Sequence, residues 1–198
     1  MLELNKMKEI ILFSYFKDSM LEKIVEVTTI TEFRAGTYIF KRGDDAHILY
    51  SVINGEVGLQ LDINNVTHIP VNTITQGMTL GFSALVDTKE KRYTTSAKAL
   101  TDTKLYNIKA KDMETLFHQD HEFGLLFMKR IAKIIKTRLQ NRNRQFLELY
   151  KIFNKNSKGY FSQSFPETET LHNNDHFQGD RILDDQPALL VSELSLTK

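Results

Sequence analysis

The spacing of apolar and polar residues along this 198-residue chain changes twice. From about residue 4 to 28, Ile10, Ile11, Phe13, Phe16, Met20, Leu21, Ile24 and Val25 recur at intervals of three and four, which predicts helix. The period then drops to two. TEFRAGTYIF, HILYSVING, EVGLQLDIN, THIPVNTIT, TTSAKALT and KLYNIKA are short, often alternating and rich in β-branched residues. Turn residues separate them at Ala35-Gly36, Gly43-Asp44, Asn54-Gly55, Asn64-Asn65 and Gly77. Asn54-Gly55 is a hairpin signal, because both residues tolerate the positive φ of a tight turn. Closely spaced strands of this kind predict a barrel or a double-sheet jelly roll. The helical period returns at 111–118 and at 121–153. The fold class expected is therefore mainly β with flanking helices: a jelly roll with helices before it and one long helix after it.

In that long helix Gly124, Met128, Ile131, Ile135, Phe146, Leu149 and Phe153 form a stripe, interrupted by Arg138 and Arg142 where a coiled-coil seam would take aliphatic residues. Helices of this length seldom bury an apolar stripe against one small barrel. The first half is expected to pack on the barrel and the second to pair with a second copy, with Met128, Ile131, Ile135, Phe146, Leu149 and Phe153 as the dimer residues. The alternative is a helix packed along its whole length on its own barrel. After residue 155 the pattern dissolves into a polar, acidic stretch with two of the three prolines. The domain organisation expected is a folded unit over 1–155 and a disordered tail over 156–198.

Composition narrows the function classes. Apolar residues make up 41% and charged residues 26%, values typical of a soluble globular chain with a sizeable core. There is no cysteine, so disulfides, thiolate metal sites and thiol catalysis are excluded. No segment approaches the roughly 20 apolar residues of a membrane span. The start of the chain lacks the pattern of a secretion signal, and a cytoplasmic address is expected. The net charge of +1 hides an asymmetry. Lys129, Arg130, Lys133, Lys136, Arg138, Arg142 and Arg144 occur without an intervening acid, whereas the stretch after Gly159 is acidic. A solvated helix face explains the first block more simply than nucleic acid does.

Glycines carry the most specific signal. Gly36 and Gly43 bracket G-x-Y-I-F-x-x-G-D, I-N-G-E-V follows at 53–57, Gly77 and Gly81 frame a short apolar segment, and A-x-A-L-T-D-T-K-L closes the run at 97–105. Over roughly residues 10–150 this resembles the cyclic nucleotide-binding domain of the Crp/Fnr superfamily. L-G-F-S-A-L-V, R-Y-T-T-S-A-K-A-L and L-x-L-Y resemble most a group of short bacterial proteins that often lack a DNA-binding domain. The resemblance implies a phosphate-binding cassette over Gly77 to Ala99. In members that bind cyclic AMP, a Glu directly after the second glycine accepts from the ribose, and an Arg at the following strand pairs with the phosphate.

Here Phe82 follows Gly81, and counting back from A-x-A-L-T-D puts Tyr93 at the arginine position. Arg92 is one residue away, on the opposite face of a strand unless the preceding loop is extended by one residue. Losing two charge-assisted hydrogen bonds removes about 3–6 kcal/mol, a factor of roughly 10² to 10⁴ in affinity. Tight cyclic AMP binding is not expected, and no cofactor is assigned. The candidate pocket comprises Gly81, Phe82, Ser83, Ala84, Leu85, Arg92, Tyr93, Thr94 and Thr95. Two readings stay open: a site retuned for another small ligand, or a pocket plugged by Phe82 and Tyr93 in an interaction scaffold.

Other clusters carry less. His118 and His121 have a spacing compatible with a metal but lack further ligands, as do His172 and His176, and no metal is assigned. No nucleophile–base arrangement appears, so no enzyme activity is expected. A Crp/Fnr-type reader of DNA would carry a helix-turn-helix, and the stretch after Asn156 lacks two helices and a tight turn. The function expected is a stand-alone regulatory or sensory module, dimeric through its long helix. The alternatives are a ligand-free scaffold or a regulator of the Crp/Fnr kind without its own DNA-reading domain.

Overall fold

A computed structural model describes residues 2–64, 67–86 and 91–156. It divides into two compact units, residues 1–148 and 149–198. In the second unit only the last turns of the long helix are described, and the expected tail from 157 on lies outside the described residues.

Two N-terminal helices, α1 (Leu2–Lys8) and α2 (Asp18–Glu26), stand in the stretch where the periodicity predicts helix. Between them, residues 9–16 form consecutive turns that bury Ile10, Leu12, Phe13 and Phe16. The cause of the break is tertiary. The Ile11 N–H donates to the Gly77 carbonyl at 2.8 Å, a bond incompatible with continuing the helical ladder at that residue.

Eight strands follow: β1 (Thr28–Phe33), β2 (Tyr38–Phe40), β3 (Ile48–Asn54), β4 (Val57–Asp62), β5 (His68–Ile74), β6 (Thr79–Leu80), β7 (Ser96–Ala99) and β8 (Thr103–Lys109). They form two four-stranded antiparallel sheets in the orders β1-β8-β3-β6 and β2-β7-β4-β5. The predicted run TEFRAGTYIF is thus two strands in different sheets, joined by the turn at 34–37. Sheet edges matter for what comes later: β6 ends one sheet and β5 ends the other. The β4–β5 ladder shifts register between Leu59 and Gln60, which pair with Asn72 and Pro70 and leave Val71 without a ladder partner.

Helix α3 (Ala110–Gln119) leads into α4 (His121–Asn156), 36 residues and about 54 Å long. Asp120 marks the break, because its carboxylate accepts from the Phe123 N–H and caps α4. The other carboxylate oxygen receives Lys23 of α2 at 2.9 Å. Phe123, Phe127 and Ile131 on α4 are fully buried, and Phe13, Phe16 and Phe117 close around the two phenylalanines with ring separations of 5.2–6.1 Å. This aromatic cluster, joined to the alternating inward residues of both sheets, is the core.

Candidate functional site

The Gly77 to Ala99 segment begins at a tight turn. The Gly77 N–H bonds to the Val52 carbonyl, and β6 then pairs briefly with β3, where the buried Thr79 and Ser51 hydroxyls meet at 2.9 Å. Gly81 adopts φ +85°, and a Cβ there would stand 2.8 Å from the Ile48 carbonyl oxygen. Only glycine fits that approach without strain. The expected apolar helix is a single 3-10 turn, Phe82–Ala84, closed by the Leu85 N–H on the Phe82 carbonyl. Ala84 and Leu85 pack inward; Phe82 and Ser83 are half-buried.

The far side of the segment divides the two residues that compete for the arginine position. Arg92 points to the surface, where its guanidinium donates to the Gly43 carbonyl at 2.7 Å and lies 3.5 Å from the Asp45 carboxylate. Tyr93 turns the other way and is 5% exposed. Its ring stacks on Phe40 with centroids 3.7 Å apart and planes at 14°. Its hydroxyl donates to the Ile48 carbonyl at 2.9 Å and accepts from the Ile48 N–H at 3.2 Å. Tyr50 stacks on the Phe40 ring at 5.8 Å. Burial raises the pKa of both phenols, and in Tyr50 the neighbouring Tyr93 adds to the rise. Both are neutral hydroxyls at any physiological pH. Thr94 is exposed and Thr95 half-buried, so the structure separates the candidate hydroxyls from the buried aromatic group.

Phe40 and Tyr50 belong to this group and carry no sequence signal beyond inward alternation. Arg138 and Arg142 are the larger omission. Arg138 lies over the Phe82 ring, 5.0 Å from its centre, and donates to the Thr79 carbonyl at 2.5 Å. Arg142 donates to the Val71 carbonyl, which the β-bulge leaves outside the ladder. Arg130 donates to the Ile11 carbonyl at 2.9 Å and lies over Tyr15. Three of the seven basic residues between 129 and 144 therefore tie α4 to backbone carbonyls, Arg130 to the N-terminal turns and Arg138 and Arg142 to the roll, while Lys129, Lys133, Lys136 and Arg144 stay exposed. For Arg138 and Arg142 the signal in the sequence is their place among apolar residues of the stripe.

The same geometry sorts the dimer candidates. Ile131 is 1% exposed and belongs to the core, and Met128 is half-buried against it. Ile135, Phe146, Leu149 and Phe153 are exposed, as is Leu139, which the spacing does not single out. His118 and His121 fall on either side of the break at Asp120, with the His121 ring bonded to the Phe117 carbonyl. Among the described residues no group of three or more His, Cys, Asp or Glu could hold a metal ion, and no helix is long and apolar enough to cross a membrane.

Comparison with known proteins fits this architecture. Residues 30–120 match the family model of the cyclic nucleotide-binding domain. A putative cyclic nucleotide-binding protein from Geobacter metallireducens GS-15 is similar in structure, with 23% identity, a TM-score of 0.61, and coverage of 70% of this chain and 99% of the other. A cyclic nucleotide-binding domain from Methylobacillus flagellatus KT gives 16% identity and a TM-score of 0.66, covering 74% and 83%. The catabolite activator protein of Thermus thermophilus gives 22% and 0.59, covering 71% and 63%. Identities at this level carry the fold alone. No curated protein matches the chain significantly.

Proposed function

We propose that this chain, whose residues 30–120 form a cyclic nucleotide-binding domain, is a non-enzymatic, cytoplasmic regulatory module that does not bind cyclic AMP tightly and acts as a dimer formed through α4. One observation carries the reading: Tyr93, counted to the position of the phosphate arginine, is buried against Phe40 and bonded through its hydroxyl to Ile48. A neutral phenol committed to a backbone carbonyl offers no charge to a cyclic phosphate. Arg92, the cation next to it in sequence, faces Gly43 and Asp45 at the surface. Phe82 supplies no carboxylate for a ribose hydroxyl.

The plugged arrangement is favoured over a retuned pocket at Tyr93, because the aromatic stack occupies the space between the sheets that a ligand would need. Regulation then passes through contacts with another protein, and sequence-specific DNA reading is not assigned to this chain. Isothermal titration of the full chain with cyclic AMP and cyclic GMP tests the reading. Dissociation constants of about 0.1–10 mM are the expected result, a micromolar site weakened roughly 10²- to 10⁴-fold by the missing pair. A micromolar constant for either nucleotide overturns it.

A further inference from the structure

The positive charge missing from the strand returns to the cassette from another element. Arg138 and Arg142 are one helical turn apart on the face of α4 that meets the roll. Arg138 reaches the edge of one sheet at Thr79, and Arg142 reaches the edge of the other at Val71. Thr79 lies two residues before Gly81 and Phe82 directly after it, so the Arg138 guanidinium contacts the cassette on both sides of that glycine in sequence. Among the described residues neither guanidinium has a carboxylate within ion-pair distance, and the hydrogen bonds recorded for each go to a neutral carbonyl. A guanidinium has five donors, and one carbonyl leaves most of them available.

Two cations drawn from water without an acid beside them are costly to hold. Burial pulls the Arg138 guanidinium down to about 10, which reports the same cost. Both side chains remain half-buried instead of fully enclosed, so an ion can approach from solvent.

We propose that Arg138 and Arg142 form a binding site for a phosphomonoester dianion at the junction of α4, β5 and the cassette. The charge count selects the ligand class. Two guanidiniums match a phosphomonoester, which carries close to two negative charges near neutral pH. A cyclic phosphodiester carries one and leaves half of the site uncompensated. Planar forks on adjacent turns also suit the tetrahedral oxygens of phosphate. The inference rests neither on the dimer nor on the packing of Tyr93. Free phosphate and an organic phosphate present the same group, and the experiment separates them.

The test is the melting temperature of the full chain with inorganic phosphate, adenosine monophosphate or cyclic AMP at constant ionic strength. Inorganic phosphate or adenosine monophosphate, at about ten times its dissociation constant, should raise the melting temperature by about 3 °C. Equal dissociation constants for the two, taken from the concentration dependence of the rise, point to phosphate itself, and a tighter constant for the nucleotide or a rise with the nucleotide alone points to an organic phosphomonoester. Both support the site. Arg142→Gln and Arg138→Gln should each abolish the rise measured from the variant's own baseline. Arg138→Lys keeps the charge at the α4 contact and should weaken binding about tenfold without abolishing it. Lys133→Gln, which removes an exposed charge of α4, should bind as the parent chain does. The proposal falls if neither dianion raises the melting temperature, if the rise survives unchanged in Arg138→Lys and Arg142→Gln, or if cyclic AMP acts as strongly as adenosine monophosphate.

Discussion

Tyr93 and Phe40 face each other ring to ring, 3.7 Å between centroids, and the Tyr93 hydroxyl is at the same time fixed to both backbone groups of Ile48. The pair joins the strand entrance of β7 to β2 and to the start of β3. Removing the hydroxyl while keeping the ring separates the two contributions. Tyr93→Phe should lower stability by about 1 kcal/mol, since it deletes a neutral hydrogen-bonded group and leaves the Ile48 carbonyl without that donor. Tyr93→Arg should cost about 3–5 kcal/mol, because an unpaired guanidinium replaces a stacked phenol in a buried site. Denaturant melts of the three proteins measure this. An arginine variant as stable as the parent, and now binding cyclic AMP, would show that the space can revert to an anion site.

The two phenols also set an alkaline limit. The folded-state pKa values of Tyr50 and Tyr93 are raised by burial, whereas an unfolded tyrosine ionises near 10. Below about pH 10 both states keep the proton, and the stability is fully present. Above it only the unfolded state releases the proton, so stability falls as pH rises. Tyrosinate absorbance followed through an alkaline titration should show at least two of the seven tyrosines titrating only as the far-ultraviolet dichroism is lost. If all seven ionise while the fold persists, the two hydroxyls are accessible to solvent and the packing account fails.

Gly81 has little freedom to change. Its φ of +85° and the Ile48 carbonyl oxygen, 2.8 Å from where a Cβ would stand, act together. An added methyl is both strained in its backbone and pressed against fixed main chain. Gly81→Ala should cost about 2–4 kcal/mol. Gly43, with a similar φ of +87° but nothing within 4 Å, supplies the comparison: Gly43→Ala should cost only about 1 kcal/mol. Equal losses at the two sites would mean that the close approach at Ile48 contributes nothing.

The roll is legible in the sequence because its turns are written in residue types. Gly36, Gly43, Gly55, Gly77 and Gly81, which fall in register with the strand pattern, all have positive φ. Strand alternation locates most of the inward residues, among them Val57, Ala97 and Leu105. What periodicity cannot give is the break in the N-terminal helix, because it depends on Ile11 reaching Gly77 across the fold. The arginines of α4 are visible as irregularities in an apolar stripe, but their acceptors are backbone carbonyls, which no residue type announces. Ile131 falls in the dimer stripe by spacing and in the core by structure for a related reason. On a 3.6-residue helix a core face and a partner face lie side by side, and only the direction of the roll tells them apart.

With Ile131 assigned to the core, the exposed apolar residues of α4 make a cleaner seam. Leu139, Phe146 and Phe153 recur every seven residues, and Ile135 and Leu149 take the intervening heptad position on either side of Arg142. Leu139 is 59% exposed, Phe146 66% and Phe153 59%, values at which each would gain about 1–2 kcal/mol from burial against a partner. Arg142 falls at the intervening spacing, but its guanidinium is directed to Val71 on the roll side of α4, so the seam is interrupted there and carries no charge. Light scattering of the full chain should therefore give about twice the 23.0 kDa of the monomer at micromolar concentration. Leu139→Glu and Phe146→Glu place like charges opposite each other across the pair and should return the mass to that of the monomer, with the circular dichroism spectrum unchanged. A parent chain that stays at 23.0 kDa up to high concentration removes the dimer from the proposed function.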